Sequence, residues 1–194
     1  VDPIFDLGND NERLNSHSYL SHIILHQPNF LFNFTNIGYQ SYYVDNESID
    51  LMKQLLFDTY RLGILKQHIE LTEPLIRNDN IVSFDMGAIR AADAPGVKNA
   101  SPNGFNGEEA CRMTRYAGLS YKLSSVGFFE YNPHYDINSR TANLIAEMIW
   151  YFIEGFSMRQ DDIPTLESND FKRYIVQIGE NQNDIVFLCH KTTG

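Results

Sequence analysis

The sequence predicts an α/β fold built on a mainly parallel sheet, with a short β-hairpin near its end. Three observations carry that expectation. Short apolar runs alternate along the chain with longer stretches of helical periodicity. Two of the runs, 81–85 (IVSFD) and 126–130 (VGFFE), are nearly continuous in apolar residues, as strands buried on both faces require. The tail carries two further β-rich runs, 174–178 and 185–189, on either side of a polar segment.

Taken in order, residues 33–44 (NFTNIGYQSYYV) hold β-branched and aromatic side chains and read as a strand leading into a loop. Leu51, Leu55, Leu56 and Tyr60 then fall at helical spacing, with Asp45 or Asn46 as N-cap and Gly63 as stop or kink. A second helix is expected over 65–76. The strand 81–85 follows and ends in a carboxylate, Asp85. After a loop rich in Ala, Asn, Gly and Pro, a helix starts near Gly107, where Asn106 and Glu109 have the spacing of a capping box. The strand 126–130 also ends in an acid, Glu130, and Asn132-Pro133 breaks it.

The strongest helical signal comes next. Leu144, Ile145, Met148, Ile149, Phe152, Ile153 and Phe156 form one broad apolar stripe, with Gly155 near its end. Trp150 and the neighbouring aromatics are expected to pack in the core. The hairpin is read as an appended element over 172–190 of a single domain spanning 1–194, because no repeat, low-complexity segment or boundary interrupts the chain.

Composition excludes several function classes. Acidic residues outnumber basic ones by 25 to 15, a formal net charge of −10. That argues against a nucleic-acid partner, which needs clustered Lys and Arg, and fits a solvated acidic surface. No apolar run approaches the roughly 20 residues of a membrane helix, and no signal peptide is visible. The chain opens on Val1-Asp2-Pro3 rather than Met, so an N-terminal part is expected to be missing. The two cysteines, Cys111 and Cys189, lie far apart without metal-type spacing, and read as buried thiols of a cytoplasmic protein.

Acids gather where strands end. Asp2 and Asp6 flank Ile4, Asp85 closes one strand, and Glu130 closes another. In parallel α/β sheets ligands bind outside the carboxyl ends of the strands. Acids collected there repel one another and lose hydration, so a cation or a cationic substrate is the natural compensation. Residues two apart on a strand share a face, which would put Asp2, Ile4 and Asp6 on one side, and Asp85 with Gly87 likewise. The plainer alternative for each acid taken alone is a helix cap or turn.

The motifs go further than the spacing. Residues 83–89 (SFDMGAI), followed by Asp93-Ala94-Pro95-Gly96, resemble the signature SFDxDAxDPxxAPG of the ureohydrolases, the family of arginase, agmatinase and formimidoylglutamase. Residues 101–105 (SPNGF) with 108–110 (EEA) look like the family's Pro-Gly-Gly loop and following helix. Residues 130–133 (EYNP) resemble its Glu-Val-Asn-Pro, and 2–6 (DPIFD) fall where it carries Asp-Ala-His-x-Asp. These matches run in family order from Asp2 to about Phe156, and the flavour is closest to formimidoylglutamase.

The resemblance implies a three-layer α/β/α fold with a parallel sheet. It also implies a manganese pair whose bridging hydroxide attacks an amidine or guanidine carbon. Carried over by position, Asp2 and Asp85 bridge the ions, Asp6 binds the first, and Glu130 holds the cationic amidine. His17 fits the catalytic histidine best, with His26 next, and an ordinary surface histidine is the alternative for either. His134, just past the Glu130 strand, reads as an exposed loop residue, and Cys111 falls on a helix.

Two departures fall on the second ion. Ile4 stands where the family has a ligand histidine, and Gly87 where it has an aspartate. At most one manganese is therefore expected, since such ions favour about six oxygen or nitrogen ligands. The expected activity is hydrolysis of a small-molecule amidine or guanidine, formimidoylglutamate to glutamate and formamide being the first instance. The alternative is a non-catalytic member using the cleft for binding or serving as a structural subunit. Resemblance also implies a homo-oligomer.

Overall fold

The computed structural model describes residues 1–8, 13–159, 169, 171–177 and 184–191. The chain divides into two compact units, 1–159 and 160–194.

In the first unit, four strands form two parallel pairs. β1 (Thr35–Tyr39) pairs with β2 (Asp58–Arg61), and β3 (Ile81–Asp85) with β4 (Ser125–Phe129). The run 1–3 lies between the two pairs and hydrogen-bonds to both. On one side the Asp2 N–H donates to Ile37 O at 3.1 Å and Gln40 N–H to Pro3 O at 2.9 Å. On the other, Val1 N donates to Ser83 O at 2.6 Å and Asp85 N–H to Val1 O at 2.9 Å. Val1 thus sits between residues 83 and 85 in the slanted pattern of a parallel ladder, and the order across the sheet is β2, β1, 1–3, β3, β4. The mainly parallel α/β fold expected from the sequence is the one found.

Packing follows the two-residue period on β3. Val82 and Phe84 are buried in the main core with Met86, Phe105, Met113, Leu144 and Met148, while Ser83 and Asp85 face the other way. Phe84 stacks on Phe128 of β4 at 5.8 Å between ring centroids. A second, smaller cluster forms around Phe5, Leu20 and Met52.

The helices follow their caps. α1 (Tyr19–Leu25) is short. In α2 (Asn46–Gln54), Asp45 is the N-cap and accepts from Ser48 N–H at 2.6 Å. The helix expected to run on through Leu56 and Tyr60 stops at Gln54. Leu56 takes a left-handed φ of +59°, and Tyr60 belongs to β2, a strand the periodicity concealed. Gly63 stops nothing, since it lies inside the short helix α3 (Leu62–Leu65). The single helix expected over 65–76 is three pieces: α3, a 3-10 turn at Ile69–Leu71, and α4 (Thr72–Ile76). Pro74 explains the break, because its ring has no N–H and clashes with the carbonyl four residues back, so it is tolerated only in the first turn of a new helix.

α5 (Gly107–Leu119) opens with the expected capping box. Asn106 accepts from Glu109 N–H at 2.8 Å and the Glu109 carboxylate accepts from Asn106 N–H at 2.7 Å. Asn106→Ala is expected to cost about 1 kcal/mol, measurable as a lower urea midpoint with an unchanged slope. α6 (Arg140–Ser157) starts without a Ser139 side-chain cap. Instead the Asp136 carboxylate accepts from Thr141 N–H at 2.8 Å and Ala142 N–H at 3.0 Å.

α5 and α6 cross with their glycines in contact. A Cβ on Gly118 would lie 2.2 Å from Phe152 O, and one on Gly155 would lie 2.3 Å from Arg115 O. Arg115 Nε also donates to Glu154 at 3.0 Å across the pair. Leu144 and Met148 are buried as expected, but the far side of the stripe is open. Trp150 is 72% exposed and Ile153 55%, so the expectation of Trp150 as a core residue is corrected. A stripe spanning Leu144 to Phe156 is wider than the face one neighbouring helix covers.

In the second unit, β5 (Phe171–Val176) and β6 (Ile185–His190) pair antiparallel, the expected hairpin. Ile178 and residues 179–183 lie outside the described residues. No helix among the described residues is long and apolar enough to cross a membrane.

Candidate functional site

A cavity of about 290 Å³ opens at the carboxyl ends of 1–3, β3 and β4, lined by Asp2, Asp6, Ser16, His17, Tyr19, Ser83, Asp85, Phe129 and Glu130. All five residues singled out from the sequence meet there. Asp85 and Ser83 arrive together because they alternate with the core residues of β3. Glu130 is the residue immediately after β4, rather than its last. Asp2 comes from the run that bridges the sheet.

Asp6 reaches the cavity by a different route from the regular strand expected. The chain bends at Pro3 and Ile4, and Asp6 takes a left-handed φ of +51°. Glu130 does the same at φ +62°. A non-glycine side chain in that region costs roughly 1–2 kcal/mol, and such outliers concentrate at functional sites. Two of the four carboxylates in the cavity are held this way.

Asp2 and Asp6 hydrogen-bond to each other, with the Asp2 carboxyl as donor. Asp6 Oδ1 also lies 3.4 Å from His17 Nδ1, and Tyr19 lines the cavity beside it. His17 is held by its own loop. Its N–H donates to Asn15 Oδ1 at 2.7 Å, and the Ser18 hydroxyl ties back to Arg13 O at 3.1 Å. Asp2 Oδ1 accepts from Ile4 N–H at 2.9 Å, and Asp85 Oδ1 from Gly87 N–H at 2.6 Å. Asp85 therefore caps the 3-10 turn that follows it and lines the cavity as well.

Burial dominates the electrostatics. It pushes the Asp2 carboxyl up to about 8, helped by the charge of Asp6. It pushes Asp85 up to about 7, with Asp2 adding to the effect, and Asp6 up to about 6 against the hydrogen bond from Asp2. Burial also raises the Tyr19 phenol. The folded state thus holds protons that the unfolded chain gives up near pH 4. Its stability without metal is full below that pH and falls as pH rises through the 6-to-8 window, the reverse of the usual carboxylate case. The metal-free protein should melt at a lower temperature at pH 8 than at pH 5. An equal or higher melting temperature at pH 8 would count against this description of the cluster.

The other candidates lie elsewhere. His26 follows α1, exposed, with its ring 6.2 Å from Phe30. His134 sits exposed in the 3-10 turn Pro133–Tyr135 and does not line the cavity. Cys111 is buried on α5, and burial lifts its thiol to about 11, away from nucleophilic use. Tyr19 was not anticipated. Its only signal in the sequence is its place two residues after His17, where it opens α1.

Hard carboxylate oxygens suit manganese in kind. In arrangement they do not suit a pair. Neither Ile4 nor Gly87 lines the cavity, and among the described residues no three His, Cys, Asp or Glu side chains converge as a ligand set.

Known proteins share this fold. The model of the arginase family matches residues 5–154. A formimidoylglutamase from Staphylococcus haemolyticus is 34% identical over 83 residues, covering 42% of this chain and 27% of that protein. The crystal structure of a formiminoglutamase from Trypanosoma cruzi with Mn2+ superposes with a TM-score of 0.74 at 20% identity, over 82% of this chain and 56% of that one. A formimidoylglutamase from Bacillus subtilis gives 0.71 at 14% identity, over 81% and 52%. The chain spans about half the length of these solved structures. With the family model matching most of its residues, and the carboxylates meeting at the strand ends, the chain belongs to the arginase family.

Proposed function

We propose that the protein hydrolyses the C–N bond of a linear amidine or guanidine, with formimidoylglutamate as the first substrate to test. The observation that carries this is the convergence of Asp2, Asp6, Asp85 and Glu130 with His17 around one cavity. Four acids without a lysine or arginine among the lining residues form a receptor for a planar cation. Amidinium N–H groups match carboxylate oxygens in paired hydrogen bonds, and Glu130, at the rim, takes that role with Asp85 deeper in.

Water adds to the amidine carbon, the C–N bond breaks, and a proton passes to the departing nitrogen. Formimidoylglutamate and water give glutamate and formamide. His17 Nδ1 faces Asp6, and its side chain is 64% exposed, so it is positioned to pass protons between the acid cluster and solvent. A divalent ion, when bound, supplies a nucleophilic hydroxide at neutral pH. The S. haemolyticus relative supports the choice of substrate, and the T. cruzi structure supports manganese as the ion. We also propose a cytoplasmic location, on two cysteines that lie far apart in the sequence without metal-type spacing, and a homo-oligomeric assembly.

The test is release of formamide from formimidoylglutamate by the full-length protein with Mn2+ present, with agmatine and arginine in parallel. Turnover of any of them supports the reading. No turnover of any, with the cavity shown by calorimetry to bind an amidine, would make the protein a binding member of its family.

A further inference from the structure

We infer that this chain does not build a two-ion manganese centre. The inference rests on the family membership above, and its test is separable from that of the proposed activity. Three observations lead to it.

The first is at position 4. Between Asp2 and Asp6 the chain offers Ile4, whose side chain has no donor atom. Its backbone N–H instead occupies Asp2 Oδ1 at 2.9 Å. The second is at position 87. Gly87 N–H occupies Asp85 Oδ1 at 2.6 Å, and a Cβ built on Gly87 would stand 3.0 Å from that same oxygen and 3.7 Å from Val97 Cγ1. A side chain at 87 would therefore run alongside the Asp85 carboxylate, the place from which a second carboxylate could share an ion with it. In this chain that place is vacant of donors.

The third is the state of the remaining oxygens. Asp2 and Asp6 bond directly to each other, and His17 addresses Asp6. Three carboxylates offer two oxygens apiece, and two of these already serve backbone N–H groups. What is left is too little for two ions sharing bridges. Replacement of the Asp2–Asp6 hydrogen bond by an ion changes one contact, whereas a pair would need donors that positions 4 and 87 do not have.

The experiment uses the full-length protein, incubated with excess Mn2+, desalted, and measured by elemental analysis and electron paramagnetic resonance. The expected result is no more than one manganese per chain, with the hyperfine pattern of isolated Mn2+. Two per chain with an exchange-coupled signal would overturn the inference. Ile4→His combined with Gly87→Asp is expected to raise the manganese content and to tighten binding about tenfold or more. A folded double variant that binds no more than the parent would overturn the placement of positions 4 and 87. Gly87→Asp alone provides the same comparison if the double variant does not fold. Formamide release is scored separately. Activity with one ion supports both conclusions, inactivity with one ion removes the activity alone, and two ions remove this inference alone.

Discussion

Glu130→Gln is expected to leave the protein folded and to lower kcat/KM for an amidine substrate about a hundredfold. Glutamine keeps one acceptor oxygen but loses the negative charge and the second acceptor that the amidinium pairs with. At about 3 kcal/mol for a lost charge-assisted hydrogen bond, the loss corresponds to roughly two powers of ten. The side chain is exposed at the rim of the cavity. Its backbone, at φ +62°, is strained for any residue with a Cβ. Glu130→Gly should therefore lose activity as completely as the glutamine variant while raising the melting temperature, by relief of roughly 1 kcal/mol. Measured together, the two variants separate a binding carboxylate from a structural one. A drop in stability for Glu130→Gly, or full activity for Glu130→Gln, would remove Glu130 from the site.

Gly118→Val is expected to have the largest effect on folding. The Cβ would meet Phe152 O at 2.2 Å and Phe156 N at 2.9 Å, both backbone atoms of α6, which no rotamer change can move aside. The helices would have to separate, opening the contact among Met113, Ala117, Leu144 and Met148 that carries much of the main core. Overpacking typically costs about 1–3 kcal/mol, and a backbone clash belongs at or above the upper end. The measurement is the urea midpoint and soluble yield of the variant against Gly118→Ala, which should be intermediate. A wild-type midpoint for Gly118→Val would mean the helices do not cross at these glycines.

Much of this architecture is written in local pattern, and the failures have identifiable causes. The strand 81–85 and the capping box at Asn106 and Glu109 are legible because each is decided by a few adjacent residues. β2 is not legible, since Leu55, Leu56 and Tyr60 satisfy a helical period by coincidence. What ends α2 is the left-handed backbone at Leu56, a conformation no leucine advertises. The break between α3 and α4 was available in Pro74. Trp150 misled for another reason: periodicity shows that a face is apolar, but not how much of it a neighbour covers.

The site divides the same way. Asp85 and Glu130 could be placed because strand ends are readable, and the family motif names them. The partnership of Asp2 with Asp6 depends on a bend at Pro3 and Ile4 and a left-handed aspartate, neither of which alternation predicts. His17 enters through a loop whose course is set by Asn15 and Ser18, with Tyr19 opening the helix that follows, and no local pattern announces where that loop goes.

The run 1–3, hydrogen-bonded on both sides, also dictates an order of assembly. Its β3 partner Ser83 lies 82 residues further along the chain, so the middle of the sheet closes the longest loop of any pairing in the first unit. Local helices and the β1–β2 pair can form early, but the two halves cannot be joined until β3 exists to receive Val1. Contacts of such separation slow folding and leave strand edges open meanwhile. Asp2 and Asp6 travel with that run, so the acid cluster comes together only as the sheet is sealed. A partly folded chain therefore lacks the assembled cavity altogether, and occupancy of that cavity reports on completed folding.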